Sequence, residues 1–210
     1  KAALEQAVCE ERIPRNPARQ TKPPKSDTQE MQVLTQDEVT KFLQYSTESR
    51  YYAAYVLTLT TGVRRGEVLG LPWRSVFIGL PWHELDQLLP WQSVVKLPLW
   101  DTEALKRMLK RRHIHLRHDP FIMITQQLSD LRRGPELTPP KTKKSQRIIG
   151  IPLDTALILI FQRSYQQKEK ARRSGPFNQE HLVFCDENGL PLNPRNFTRQ
   201  FQKELKIKLL

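Results

Sequence analysis

The sequence predicts a mainly α-helical fold carrying a small antiparallel β-hairpin or sheet, an α+β class, on three observations. Segments with helix start and stop signals occupy most of the chain. Two short runs rich in β-branched residues, FIMITQQL and SQRIIGIP, flank the turn-like RRGPEL. Proline-dense polar text separates the first helix from the rest.

In chain order, residues 1–9 read as the tail of a helix. IPRNPARQTKPPKSDTQEM follows, with four prolines, and reads as an extended linker, so a domain boundary is expected near residues 14–33, between a unit at 1–13 and a main domain at 34–210. Thr35 with Glu38 three positions on forms a capping box, and Leu34 with Val39 has the spacing of a hydrophobic staple, which opens a helix through Tyr45. RYYAAYVLTLTT is apolar nearly all round and predicts a buried helix ended by Gly62. FIMITQQL is expected as one strand and SQRIIGIP as its return, with a lysine-rich segment between them. A long helix is expected from Asp154 to a stop before Gly175, and a last one from Asn193 as N-cap with Pro194 at its first position. In that last helix Phe197, Phe201 and Leu205 share one side, leaving Arg195, Arg199 and Gln202 on the other.

LPWRSV, LPWHEL and LPWQSV begin at 71, 80 and 89, and Trp73, Trp82, Trp91 and Trp100 are spaced by nine. Nine residues carry a side chain to the opposite face of a helix or strand, so these tryptophans cannot line one face of one regular element. An expanded loop with tryptophans packing piecemeal is expected. ALKRMLKRRHIHLRH after it reads as a basic amphipathic helix lying on DNA or on the domain surface.

Lys plus Arg number 34 against 22 acidic residues, a net charge of +12 and a pI near 9.9, which favours a polyanionic partner such as nucleic acid. Cys9 and Cys185 are far apart and without metal-ligand spacing, which argues against a disulfide framework or a zinc site and fits a reducing, cytoplasmic setting. His113, His115 and His118 cluster without acidic or cysteine companions, so no metal is expected. No apolar run reaches the roughly 18 residues that span a bilayer, and no export signal opens the chain, whose first residue, Lys1, suggests a piece of something longer.

Three linked motifs carry a family resemblance. TTGVRRGEVLGLPW (60–73) resembles the first arginine box of the tyrosine recombinases, or phage-type integrases; PPKTKKSQRIIGIP (139–152) resembles their β-hairpin lysine segment; and HLVFCDENGLPLNPRNFTRQF (181–201) resembles the approach to their second catalytic box. ERIPRNPA is similar to the join between the family's DNA-grasping helical domain and its catalytic domain. The resemblance implies a tyrosine-recombinase catalytic-domain fold, incomplete at its C-terminal end, with residues 1–13 as the last helix of the DNA-grasping domain. The stretch at about 77–120 is then an unusual insert.

The family's chemistry is site-specific DNA cleavage and rejoining through a phosphotyrosine. Charge builds on the non-bridging oxygens, and a guanidinium can bind two of them with a rigid fork. By resemblance Arg64 is that fork, and Glu67, at i+3, orients it or supports its turn. Lys141 matches the hairpin lysine, the general acid for the departing 5′ oxygen, with Lys143 or Lys144 as alternatives. Arg65, Arg74, Lys143, Lys144, Arg147, Arg195 and Arg199 are candidate DNA contacts. The family's HxLRH box and nucleophilic tyrosine have no counterpart here. HLRH within 113–120 precedes Lys141 and has the wrong spacing, and Tyr45, Tyr51, Tyr52, Tyr55 and Tyr165 all lie ahead of where a nucleophile belongs. The fragment is therefore expected to be inactive alone. No cofactor is implied, and partners are duplex DNA and other recombinase protomers, a tetramer on DNA in the full-length parent. A mobile-element or phage source, bacterial and nucleoid-associated, goes with the resemblance. A non-catalytic DNA-binding remnant and a decayed relic are the alternatives.

Overall fold

The computed structural model describes residues 2–21, 33–115, 119–131, 134–140 and 145–209. They fall into two compact units, Lys1–Leu34 and Thr35–Leu210. In the first, helix α1 (Ala2–Cys9) is followed by a 3₁₀ turn, Pro17–Arg19, capped by the Asn16 side chain, which accepts from the Ala18 N–H at 2.9 Å. Arg19 and Asn16 both donate to Glu5 of α1, at 2.9 Å each. The first part of the expected extended linker thus folds back on α1, because a carboxylate is there to receive it; residues 22–32 lie outside the described residues.

The second unit is the mainly helical α+β fold expected. Helix α2 (Gln36–Tyr45) opens with the capping box, the Thr35 hydroxyl accepting from the Glu38 N–H and the Glu38 carboxylate accepting from the Thr35 N–H at 2.7 Å. Helix α3 (Tyr52–Thr61) is buried from Ala53 to Leu57 and ends at Gly62, whose φ of 65° is a left-handed conformation that costs glycine little. Short α4 (Arg65–Leu69) and the two-residue strand β1 (Val76–Phe77) follow.

Two helices then appear where a loop was expected, α5 (Trp82–Leu88) and α6 (Trp91–Val94), followed by the expected basic helix, α7 (Thr102–Arg111). The reason lies in the repeat itself. Each Leu-Pro-Trp puts proline at an N-cap, where its missing N–H is harmless, and tryptophan at the first helical position; this holds at Pro72, Pro81 and Pro90. The nine-residue period is a spacing of helix starts. Leu85, Leu89, Val94, Leu105 and Leu109 are buried, and α6 and α7 pack on α8 (Leu153–Ala171). Helix α7 thus lies on the domain, one of the two positions expected for it.

Tryptophan anchors complete the attachment. The Arg163 guanidinium of α8 lies 5.3 Å from the Trp73 ring centre and 4.9 Å from that of Trp82, and is bidentate to Asp86 at 3.1 and 2.6 Å. Trp100, at a positive φ of 60°, donates from Nε1 to the Thr47 carbonyl at 2.7 Å and packs on Tyr52, Phe161 and Tyr165. Replacing Arg163 by alanine removes a paired charge between two rings, an expected loss of about 2 kcal/mol and 4–8 °C in melting temperature. Thermal unfolding followed by circular dichroism checks this, and an unchanged midpoint would show that the insert is anchored elsewhere.

The two expected strands pair antiparallel as read, within a three-stranded sheet, and a second, two-stranded sheet accompanies it. Strand β2 (Phe121–Ile124) lies between β1 and β5 (Arg147–Gly150), antiparallel to both, with Ile122 opposite Val76 and Ile149. The text after β2 does not continue that strand: β3 (Gln127–Leu131) leaves the sheet and forms its own hairpin with β4 (Gly134–Thr138), which RRGPEL was expected to supply only as a turn. The chain breaks at Thr125 and Gln126, whose side chains reach Ser75 at 3.3 Å and the Gly70 carbonyl at 2.8 Å. Helix α9 (Pro194–Leu209) begins as expected, with Asn193 accepting from the Arg195 N–H at 2.9 Å. Phe197 and Phe201 of α9 meet Phe42 of α2, Tyr55 of α3 and Tyr51 at the cap of α3 in an aromatic cluster. Among the described residues no helix is long and apolar enough to cross a membrane.

Candidate DNA-phosphate site

The arginine box folds as a tight connection from α3 into α4, and two of its three glycines explain where it sits. Gly66 and Gly70, four apart, turn one side of α4 toward β3. A Cβ built on Gly66 would stand 2.8 Å from the Leu128 carbonyl oxygen, and one on Gly70 2.6 Å from the Leu128 nitrogen and 2.7 Å from the Gln127 carbonyl carbon. Only glycine permits that backbone-to-backbone approach.

Glu67 is the centre of the arrangement. It is buried, its side chain 3% exposed, and its two oxygens receive four donors. Oε2 accepts from the Arg64 backbone N–H at 3.0 Å and Arg147 Nη2 at 2.9 Å, while Oε1 accepts from Arg64 Nη1 at 3.3 Å and Arg147 Nη1 at 3.0 Å. Burial alone raises the carboxyl pKa, but the hydrogen bonds from Arg147 and from the Arg64 N–H prevail and hold it below the usual carboxylate value. The site contains a fixed buried anion with an arginine on either side.

The two arginines differ in what they leave open. The Arg64 side chain is 74% exposed and meets Glu67 through Nη1, so most of its fork faces outward. Arg147 is 33% exposed and has both terminal nitrogens on Glu67, with Nη1 also donating to the Ser145 carbonyl at 3.2 Å. Among the other sequence-derived candidates, Arg65 is exposed and donates to Thr198 Oγ1 of α9 at 2.7 Å, which ties the arginine box to the last helix. Arg74 is exposed and donates to Gln126 Oε1 at 3.1 Å, next to the Gly70 carbonyl that Gln126 also holds. Arg195 and Arg199 are exposed on α9, on the same side of that helix as Thr198. Lys141, Lys143 and Lys144 lie outside the described residues, as do Arg117 and His118 of the HLRH string.

The tyrosines divide between the core and the surface. Tyr55 is fully buried, and burial, then the charge of Glu204, pushes its phenol pKa up strongly. Burial also raises those of Tyr51, Tyr52 and Tyr165, while Tyr45 ends α2 at the surface. Cys185 is likewise buried, with its thiol pushed up to about 12 by burial. Among the described residues, no group of three or more His, Cys, Asp or Glu side chains could hold a metal.

Sequence reasoning missed the Glu67–Arg147 pair and the glycine contact. The pair joins residues 80 apart, and nothing local signals it. Glycines at i and i+4 within a short helical motif were the available signal for the second.

No protein-family model and no curated protein matches the sequence. Solved structures do. The chain is similar to the Tn1549 transposon integrase in complex with a circular intermediate DNA, at 19% identity and a TM-score of 0.59, over 99% of this chain and 55% of that one. A structure of that integrase with transposon right end DNA matches at 20% identity and a TM-score of 0.59, again over 99% and 55%. The likeness shows that the protein has the fold of these integrase chains, of which it spans 55% of the length.

Proposed function

We propose that this protein is the duplex-DNA-binding core of a tyrosine-type site-specific recombinase, an integrase of a mobile element, in which Arg64 engages the scissile phosphate. The observation that carries the reading is Arg64 itself, an outward-facing guanidinium seated on the buried Glu67 carboxylate, in a fold shared with integrases solved on DNA.

In this reading a tyrosine oxygen attacks the phosphorus, the bond to the 5′ oxygen breaks, and the phosphodiester's energy is kept in the phosphotyrosine. Arg64 offers paired N–H donors to the non-bridging oxygens as charge gathers there. Glu67 keeps the turn and the fork in place. Lys141 delivers the proton to the departing 5′ oxygen, with Lys143 and Lys144 as its alternatives. None of Tyr45, Tyr51, Tyr52, Tyr55 and Tyr165 serves as that tyrosine, since four are packed in or against the core and Tyr45 stands at the end of α2, before the arginine box, and this chain is inactive alone. Arg65, Arg74, Arg195 and Arg199 contact flanking backbone, where phosphate contacts set position. Other protomers join on DNA in the full-length protein, in the cytoplasm.

The test is binding to a fluorescein-labelled duplex as salt is raised. Affinity falls linearly in log-log form, with about 0.9 of slope for each phosphate neutralised. Arg64→Ala weakens binding by roughly tenfold, about 1.4 kcal/mol, and lowers the slope by about 0.9. No binding at low salt rejects the reading. Full binding by Arg64→Ala favours a DNA-binding remnant, which the exposed arginines also suit. A relic predicts uncooperative unfolding, and the well-buried insert supports a cooperative transition.

A further inference from the structure

We propose that Arg147 is a positioning residue that pins the Arg64-bearing turn to strand β5, rather than a DNA contact. The inference rests on the recombinase reading above. Arg147 opens β5, the edge strand that pairs with β2, and the sequence alone placed it among the DNA-binding residues.

The geometry points the other way. A guanidinium serves a DNA phosphate with the same terminal nitrogens that Arg147 has directed at Glu67, at 3.0 and 2.9 Å. The parallel two-bond geometry is the strong, directional form of this contact, and its acceptor is buried. Releasing Arg147 to DNA would leave the Glu67 charge buried with Arg64 as its remaining partner, a state that proteins avoid. Nη1 further donates to the Ser145 carbonyl, so the side chain is braced against the backbone just before its own strand as well.

The consequence reaches Arg64 through one carboxylate. Both Arg64 donors, the backbone N–H and Nη1, end on the oxygens that Arg147 holds in place. Without Arg147, Glu67 can turn in its site, and the start of α4 loses the fixed acceptor that sets the direction of the Arg64 fork. Arg64 touches the phosphate; Arg147 acts through Glu67. A lysine cannot replace it, since one ammonium cannot bind both carboxylate oxygens in a plane.

Two cycles test this. In the first, Arg64→Ala, Arg147→Ala and the double variant are titrated with the labelled duplex over a salt series. Pinning predicts that Arg147→Ala weakens binding by up to about tenfold, that Arg147→Lys does not restore it, and that adding Arg147→Ala to Arg64→Ala lowers neither the affinity nor the salt slope much further. A DNA contact predicts rescue by Arg147→Lys, and a double variant whose losses add and whose slope falls by about a further 0.9 beyond that of Arg64→Ala, and would overturn the proposal. In the second, Arg147→Lys, Glu67→Gln and their combination are unfolded thermally without DNA. A double variant that melts close to the worse single one is expected, and additive losses overturn the pin. If the wild-type chain does not bind the duplex, the recombinase reading fails while the second cycle still decides whether the pin exists.

Discussion

Gly70→Ala is expected to lower the melting temperature by about 6–12 °C. The added methyl would lie 2.6–2.9 Å from three backbone atoms of Gln127 and Leu128. Real Cβ atoms do not approach backbone that closely, and neither neighbour is a flexible side-chain tip. Either α4 or β3 must move, and both are committed: Leu69 and Val68 lie in the core, and Leu128 is buried beneath them. Overpacking of this kind costs about 3 kcal/mol, and a domain of this size loses roughly 2–4 °C for each kcal/mol. Gly150→Ala is the control, since nothing lies within 4 Å of its Cβ position. Thermal unfolding of the two variants side by side checks the claim. Equal midpoints would mean that α4 and β3 separate without penalty. The same displacement would shift Arg74 through Gln126, so a loss of DNA affinity should accompany the loss of stability.

Glu67→Gln should destabilise the chain by about 3 kcal/mol near neutral pH, because it removes one partner of a largely buried ion pair. The amide keeps an acceptor for the Arg64 N–H, but loses the charge that receives Arg147 on two sides. The pH dependence follows from the direction of the shift. Glu67 has a native pKa below its unfolded value, so its contribution is fully present above the ordinary glutamate value, about 4.3, and is lost as pH falls through the native value. The wild-type chain therefore loses this stability on acidification below about pH 4, the glutamine variant has none of it to lose, and the gap between them narrows. Urea unfolding at a series of pH values measures the gap. A gap that is constant or widens in acid would show that Glu67 is not held as a carboxylate.

Much of the helical framework was legible in the sequence because its signals are local. Thr35 with Glu38, Gly62, and Asn193 with Pro194 each act on backbone groups within a few residues, and each does the same in the structure. The Trp repeat was read correctly as a repeat and wrongly as a loop. Its regularity was visible, but the helices it starts are seven and four residues long, too short to show an apolar period or to stand without α8 beneath them. The break after β2 was illegible for a similar reason. FIMITQQL is locally a good strand, and what bends it is the contact of Gln126 and Leu128 with glycines more than fifty residues earlier.

By itself, then, the sequence determined the capped helices, the basic charge and the arginine box, all properties of neighbouring residues. Tertiary structure alone decided which arginine faces outward. Arg64, Arg65 and Arg147 are chemically alike along the chain, and their difference comes from one carboxylate too deeply buried to be left unpaired, which holds Arg147 with both nitrogens and leaves most of the Arg64 fork free.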